Sequence, residues 1–300
     1  MVKFNYIDLF SGIGGFALGL KQAGIEFENH WFSEIDKHTI NIYKKHFPNA
    51  KELGDVKTIR DVSGIKADLI TFGFPCQDLS TAGKRRGLEG SRSRLFYEAI
   101  RIIRELSPRY FIFENVKGLL TSNRGMDFVR CLREIADIGL YDCEWQLVNT
   151  AWFLPQKRER IYFIGHSGRY SGQQIFPLKI TTPKNYKFIE KKKRTLVWRA
   201  IIDITSANKN QNGGMIDENL AFTLTTRKSQ GVFDGENIRF LTPLEKERLQ
   251  GFPDGWSEFG YDGFKIPETF RHKALGNAVS VPIPQYIGSK ILEIERKTNK

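Results

Sequence analysis

The chain has 300 residues, 40% hydrophobic and 27% charged, which excludes a disordered polypeptide and fits one large domain or two. No apolar run approaches the roughly 20 residues of a membrane span, and Asp8 interrupts the apolar stretch near the N-terminus, so neither a spanning helix nor a secretory signal is expected. The net charge of +12 fits a polyanionic partner such as nucleic acid or a plainly lysine-rich surface, while three cysteines (Cys76, Cys131, Cys143) with no Cys-x-x-Cys pair exclude a disulfide framework and a common zinc site and fit a reducing cytoplasm.

Tyr6–Phe10 reads as a buried strand that runs into glycines and then into a helix with Phe16, Leu20 and Ala23 on one side. His30–Glu34 is a second strand, and Lys37–His46 a second helix stopped by Pro48. Asp68–Phe72 is a third strand. Leu95–Leu106 is a helix ended by Pro108, Tyr110–Phe113 a strand, and Met126–Ile138 a helix closed at Gly139. Glu144–Asn149 and Arg160–Ile164 are further strands. Strands alternating with helices predict a doubly wound α/β fold, a parallel sheet covered on both faces.

The pattern changes after Gly165. Between His166 and Ile238 no long periodic helix is legible, and twelve Lys and Arg stand against six acids, half the excess charge of the chain. This segment predicts a second, smaller domain of irregular β structure, and Pro284–Arg296 a helix that docks back on the first. The expected division is residues 1–165 with 270–300 as one unit and 166–269 as the other.

Four places carry chemistry-bearing residues at predicted strand ends. In Asp8-Leu-Phe-Ser-Gly-Ile-Gly-Gly-Phe16 a strand enters a glycine turn that opens a helix, whose free N–H groups and close backbone suit a nucleotide-like cofactor. Gly12–Ala17 fits the loose Gly-x-Gly-x-x-Ala pattern, and Glu34 is placed to bind ribose hydroxyls; a tight structural turn accounts for the same residues. Gly73-Phe-Pro-Cys-Gln77 puts Cys76 beyond a strand's carboxyl end, where a thiolate nucleophile would be helped by Lys84, Arg85, Arg86, Arg92 and Arg94 in the loop that follows. Cys131 and Cys143 read instead as core residues. Glu114 in Phe113-Glu-Asn-Val116 is a carboxylate in an apolar strand, costly unless paired or functional. In Gln156-Lys-Arg-Glu-Arg160, alternation puts Arg158 and Arg160 on one face, able to pair with a carboxylate or phosphate.

These blocks, in this order, resemble the C5-cytosine DNA methyltransferases. So do Arg239-Phe-Leu-Thr-Pro243 with Glu245, Arg248-Leu-Gln-Gly-Phe-Pro253 and Gly276-Asn-Ala-Val279, and the likeness covers nearly the whole chain except His166–Ile238. The resemblance implies a Rossmann-like sheet that binds S-adenosylmethionine, double-stranded DNA as substrate, and a base flipped out of the stack. It implies that Cys76 attacks cytosine C6, that Glu114 hydrogen-bonds or protonates N3, that Arg160 contacts O2 and supports Glu114, and that Arg158 contacts phosphate or anchors the site. Pro75, Gln77, Asn115 and Val116 would shape the base pocket. Phe10, Gly12, Ile13 and Gly14 are implied at the methionine and adenosine, Glu34 and Ile35 at the ribose, and Asp55 and Val56 at the adenine. Leu95, Asn277 and Ala278 would complete the cofactor pocket. Leu79 stands where the family often has Phe, and Ile35 where it often has an aromatic residue.

His166–Ile238 falls where the family keeps its target-recognition domain. There Phe222-Thr-Leu-Thr-Thr226, with Thr225 and then Arg227, resembles an element of such domains, and Lys191–Arg194 reads as a phosphate-facing or solvated patch; in the loop after Cys76, Lys84, Arg85 and Arg86 are expected as further DNA contacts. The resemblance further implies a monomeric cytoplasmic enzyme of prokaryotic or phage type, paired in function with a restriction endonuclease. Three other readings compete. A transfer-RNA methyltransferase of the same fold lacks support because no cysteine follows Cys143. A catalytically inactive DNA-binding module does not explain Cys76, Glu114, Arg158 and Arg160 together. A nicotinamide dehydrogenase rests on the glycine pattern alone.

Overall fold

Runs of apolar residues too short for helices build the middle of a seven-stranded sheet. The structure, a computed structural model, describes residues 2–74, 95–170, 172–178, 199–203, 220–228, 230–233 and 238–298. In chain order the first unit contains β1 (Lys3–Leu9), α1 (Gly15–Gln22), β2 (Glu26–Ser33), α2 (Lys37–His46), β3 (Lys51–Glu52), β4 (Leu69–Phe72), α3 (Leu95–Leu106), β5 (Tyr110–Val116), α4 (Met126–Ala136), β6 (Tyr141–Asn149), β7 (Gln156–Lys157) and β8 (Glu159–Ser167). The sheet order is β3-β2-β1-β4-β5-β8-β6.

Both faces of the sheet are apolar because both are covered. Phe4, Tyr6, Tyr110, Ile112, Tyr162 and Ile164 point into one core, shared with α1 and α2. Their strand neighbours Ile7, Leu9, Phe111, Phe113, Ile161 and Phe163 point into the other, shared with α3 and α4. The doubly wound architecture expected from alternation is present, with one departure. β8 runs antiparallel to β5 and to β6, between which it lies. β6 reaches β8 through a short connection with no crossover helix, and a strand that returns without a crossover must reverse direction.

Beyond β8 the described residues form β9 (Arg199–Asp203), β10 (Ala221–Phe222), β11 (Gln230–Phe233), β12 (Ile238–Phe240), α5 (Pro243–Gln250), α6 (Glu268–Asn277) and α7 (Pro282–Thr298). β9, β11 and β12 make a small antiparallel sheet. A separate cluster of Ala221, Leu224, Val232, Leu241 and Leu249 forms beside it. Phe252, Trp256 and Ile266, in contrast, pack into the core beneath α1.

The expected C-terminal helix is α7, and it does return to the first unit. Ile283, Ile287 and Ile291 complete the core on the α1 face of the sheet. The approach is close enough to require a glycine: a Cβ on Gly19 would lie 2.6 Å from the Val281 carbonyl and 2.7 Å from Pro284. Two helices were not foreseen, α5 and α6. Both bury charged residues, among them Glu245, Lys246, Glu247 and Arg271, so neither shows an apolar stripe. α5 nonetheless carries a legible start: Thr242 accepts from the Glu245 N–H, Glu245 reaches back, and Pro243 follows the cap.

Candidate active site

The carboxyl ends of β1, β2, β4 and β5 open into one cleft of about 700 Å³. Ligands bind at this end of open α/β sheets because the loops diverge there. The cleft is lined on one side by Phe10, Gly12, Glu34, Ile35, Asp55, Val56 and Leu95, and on the other by Gly73, Glu114, Val116, Arg158, Arg160 and Asn277. Residues as far apart in the sequence as Phe10 and Asn277 are thereby brought together.

The first loop is held by its own acid. Glu34 accepts from the Gly12 N–H at 3.0 Å through one oxygen and from the Ile35 and Asp36 N–H groups at 2.7 and 3.1 Å through the other. Gly12 has φ 55, and the space where a side chain would stand is open. That is a cradle a Cβ would fill, and a backbone few other residues adopt. Phe10 also takes a positive φ, 53. Below the loop Asp8 is fully buried and accepts from Thr71 Oγ1 at 2.9 Å and Tyr43 Oη at 3.0 Å. Burial pushes its carboxyl up to about 8, against the pull of these hydrogen bonds.

On the opposite wall Arg160 Nε lies 2.9 Å from Glu114 Oε1. Glu114 is 9% exposed, so the pair sits largely out of water, where an unpaired carboxylate would be costly. Asn115 turns away from the cleft to donate to the Phe74 carbonyl at 3.2 Å, and its own oxygen accepts from the Val116 N–H.

Arg158 lines the same cleft but binds backbone: its guanidinium donates to the carbonyls of Gly276 at 3.3 Å and Ala278 at 2.9 Å. It is buried, 2% exposed. It therefore ties β8 to the end of α6, where Asn277 enters the cleft. A second strut runs parallel to it. Gln156 donates to the Leu249 carbonyl, Gln250 donates to the carbonyls of Leu275 and Ala278, Ser280 donates to Gln250 Oε1, and Thr150 meets Ser280 at 3.0 Å. Three motifs distant in sequence converge on this buried polar network. The roles of Gln156, Gln250 and Ser280 went unforeseen, although two of the three lie in motifs the sequence singled out.

Ile13, Gly14 and Ala278 stand behind the cleft wall rather than in it. Ile13 is buried in the core, and its carbonyl accepts from Trp256 Nε1 at 2.8 Å. Gly14 packs against Phe47 and Tyr43. Ile35, in contrast, is 71% exposed at the rim. Also at the rim, Lys273 pairs with Asp36 at 2.8 Å and Phe270 lies against His38, ring centroids 4.0 Å apart; neither contact was foreseen.

Thr225 and Arg227 lie on an exposed turn after β10, backed by Lys246. Burial pulls the Lys246 ammonium down to about 8. Pro75, Cys76, Gln77, Lys84, Arg85 and Arg86 lie outside the described residues, as do Leu79, Arg92, Arg94 and Lys191–Arg194. The other two cysteines are poor nucleophiles. Cys131 is buried with its thiol pushed well up, and burial raises that of Cys143 to about 12.

A doubly wound sheet with a glycine loop, an acid just beyond β2 and a paired carboxylate in one cleft has the layout of a nucleotide-cofactor enzyme. The family model of C-5 cytosine-specific DNA methylases matches residues 4–232 and 208–293, and the chain belongs to this family. It is 32% identical to the type II methyltransferase M1.ScrFI of Lactococcus lactis subsp. cremoris over 99% of this chain and 80% of that one. It is 33% identical to the type II methyltransferase M.HpaII of Haemophilus parainfluenzae, over 97% and 90%. The fold is similar to a protein described as a DNA modification methyltransferase encoded within a prophage (E. coli), with TM-score 0.71, 23% identity and coverage of 99% and 100%. It is also similar to S. pombe Dnmt2 methyltransferase, with TM-score 0.70, 20% identity and coverage of 98% and 99%. The protein is a DNA cytosine-5 methyltransferase that uses S-adenosylmethionine.

Proposed function

We propose that Cys76, Glu114 and Arg160 carry out the reaction on a cytosine flipped from duplex DNA. The Cys76 thiolate adds to C6, which makes C5 electron-rich, while Glu114 hydrogen-bonds or protonates N3. C5 would then take the methyl group that the cofactor supplies, the sulfonium departing as a neutral thioether; the C5 proton leaves to a solvent base, the thiolate is expelled from C6 to restore the double bond, and any proton held at N3 returns to Glu114. Arg160 holds the Glu114 carboxylate and contacts cytosine O2. Arg158 acts through the backbone it binds, keeping Asn277 at the cleft. Pro75, Gln77 and Val116 shape the base pocket, and Asn115 supports it from behind through the Phe74 carbonyl. S-adenosylmethionine supplies an electrophilic methyl group, held by Phe10, Gly12, Glu34, Ile35, Asp55, Val56, Leu95 and Asn277, with Ile13, Gly14 and Ala278 supporting that wall. The observation that carries this reading is that the Glu114–Arg160 pair and the Gly12–Glu34 loop share one cleft.

Residues 1–165 and 270–300 form the catalytic unit in this reading, and 166–269 the target-recognition unit, with Phe252, Trp256 and Ile266 as its anchors. Thr225 and Arg227, with Lys84, Arg85 and Arg86, meet the DNA. The enzyme works as a cytoplasmic monomer and protects host DNA from a partner endonuclease. The test is methyl transfer from tritiated cofactor to DNA and to transfer RNA, with Cys76→Ala beside the parent protein. DNA is expected to be methylated, Cys76→Ala to be inactive, and duplex DNA with 5-fluorocytosine at the target to form an adduct that survives denaturant, since fluorine does not leave as a proton does. Turnover by Cys76→Ala near the parent rate would remove the nucleophile assignment.

A further inference from the structure

An ammonium group with no water around it needs a reason to be where it is. Lys246, on the first turns of α5, is fully buried. Among the described residues no carboxylate pairs with it. Its Nζ donates instead to two backbone carbonyls of one turn, Thr225 at 3.0 Å and Arg227 at 3.1 Å. The same turn is fixed from two other directions. Gln230 accepts from the Thr225 N–H at 3.2 Å and donates to the Thr223 carbonyl at 3.0 Å. Gly276 lies directly behind, so that a Cβ there would stand 2.5 Å from the Thr225 carbonyl oxygen. The backbone of the turn is therefore clamped, while the residues at 225–228 are exposed.

We propose that Lys246 is a positioning residue for target discrimination: by drawing the Thr225 and Arg227 carbonyls onto one cation, it fixes the direction in which the side chains at 225–227 meet DNA. The inference rests on the reading that this turn faces DNA. Charge-assisted hydrogen bonds are stronger than neutral ones, and two of them from one buried head leave the turn little freedom. Discrimination between bases depends on donors and acceptors being held in a fixed pattern, whereas phosphate binding tolerates movement.

The test uses the full chain with Lys246→Met, which keeps an apolar stem of similar length and removes the donors, and Lys246→Gln, which keeps a donor. Purified protein and S-adenosylmethionine are incubated with genomic DNA lacking cytosine methylation, and bisulfite sequencing reads methylation at the preferred site and at sites with one mismatch. Lys246→Met is expected to lower the ratio of the two rates at least tenfold and Lys246→Gln by less, with cofactor affinity by calorimetry within twofold of the parent. A merely structural role would lower both rates alike. Unchanged ratios in both variants, an equal loss at all sites, or loss of the fold in both would each overturn the proposal. Thr225→Ala and Arg227→Ala test the underlying reading separately. If they alter the target pattern and Lys246→Met does not, only the role of Lys246 falls. If they leave pattern and salt dependence untouched, the turn does not face DNA and both fall.

Discussion

A carboxylate and an arginine on neighbouring strands carry the chemistry assigned to the cleft, and their separate contributions are measurable. Glu114→Gln keeps the shape of the side chain and loses its charge and its ability to pass a proton to N3. The methylation rate is expected to fall by about 10²–10⁴-fold, the range for a positioned acid or base, with cofactor affinity by calorimetry nearly unchanged. Loss of cofactor binding with the rate preserved would move Glu114 to the other side of the cleft. The pair was half legible in the sequence. Period-two alternation put Arg158 and Arg160 on one face, and both line the cleft. Alternation is blind to partners, however, so it did not show that one arginine binds a carboxylate and the other backbone carbonyls. Asp8 gives a pH signature. Its folded pKa of about 8 lies above its ordinary value of 3.8, so its contribution to stability is fully present below about 4 and is lost as pH rises to 8. Asp8→Asn does not titrate. Thermal melts of parent and variant between pH 5 and 8 are expected to converge, or cross, in the variant's favour as pH rises, at up to about 1.4 kcal/mol per pH unit; parallel profiles would show that Asp8 is ionised throughout.

At the scale of elements, the central strands were readable as short apolar runs and the long helices by the spacing of their apolar residues. β1, β2, β4 and β5, α2 and α3 follow the sequence pattern closely. α5 and α6 were not readable in that way, since they bury Glu247 and Arg271 against each other at 3.1 Å and Lys246 against a turn. A buried charge looks like a surface charge until its partner is known. The reversal of β8 was hidden for a related reason: strand direction depends on what lies between strands, and the segment between β6 and β8 is too irregular to read. The closest helix contact is also testable. Gly19→Ala is expected to destabilise the protein by about 1–3 kcal/mol through overpacking against α7. Gly64→Ala, at a position with nothing within 4 Å, serves as the control and is expected to melt with the parent. Equal melting of the two variants would mean that α7 shifts to make room.

For the whole molecule, the proposed reading draws chemistry and recognition from different stretches of chain. The sequence marked the break by composition after Gly165, but it did not show that Phe252, Trp256 and Ile266 return to the first core, because apolar residues do not advertise which core they join. Replacing residues 179–238 by the matching segment of a relative with another target, which leaves β8, the core residues Tyr170, Ile175, Phe176 and Leu178 and those anchors in place, is expected to transfer that relative's methylation pattern. Methylome sequencing of cells expressing the chimaera reads the result, and an active chimaera with the parent's pattern would place recognition outside the segment. The docking of α7 on α1 also has a consequence for biosynthesis. The strands through β8 leave the ribosome well before residues 282–298, by a delay on the order of ten seconds at the usual rates of translation. Throughout that interval the nascent chain carries a sheet whose α1 face lacks Ile283, Ile287 and Ile291. Ribosome-bound chains stalled before α7 are therefore expected to be captured by chaperones and cut readily by protease, and chains stalled after α7 has emerged to resist both. Equal protease resistance of the two would show that the α1 face is completed without α7. In the cell, the emergence of α7 would decide when α1 is safe.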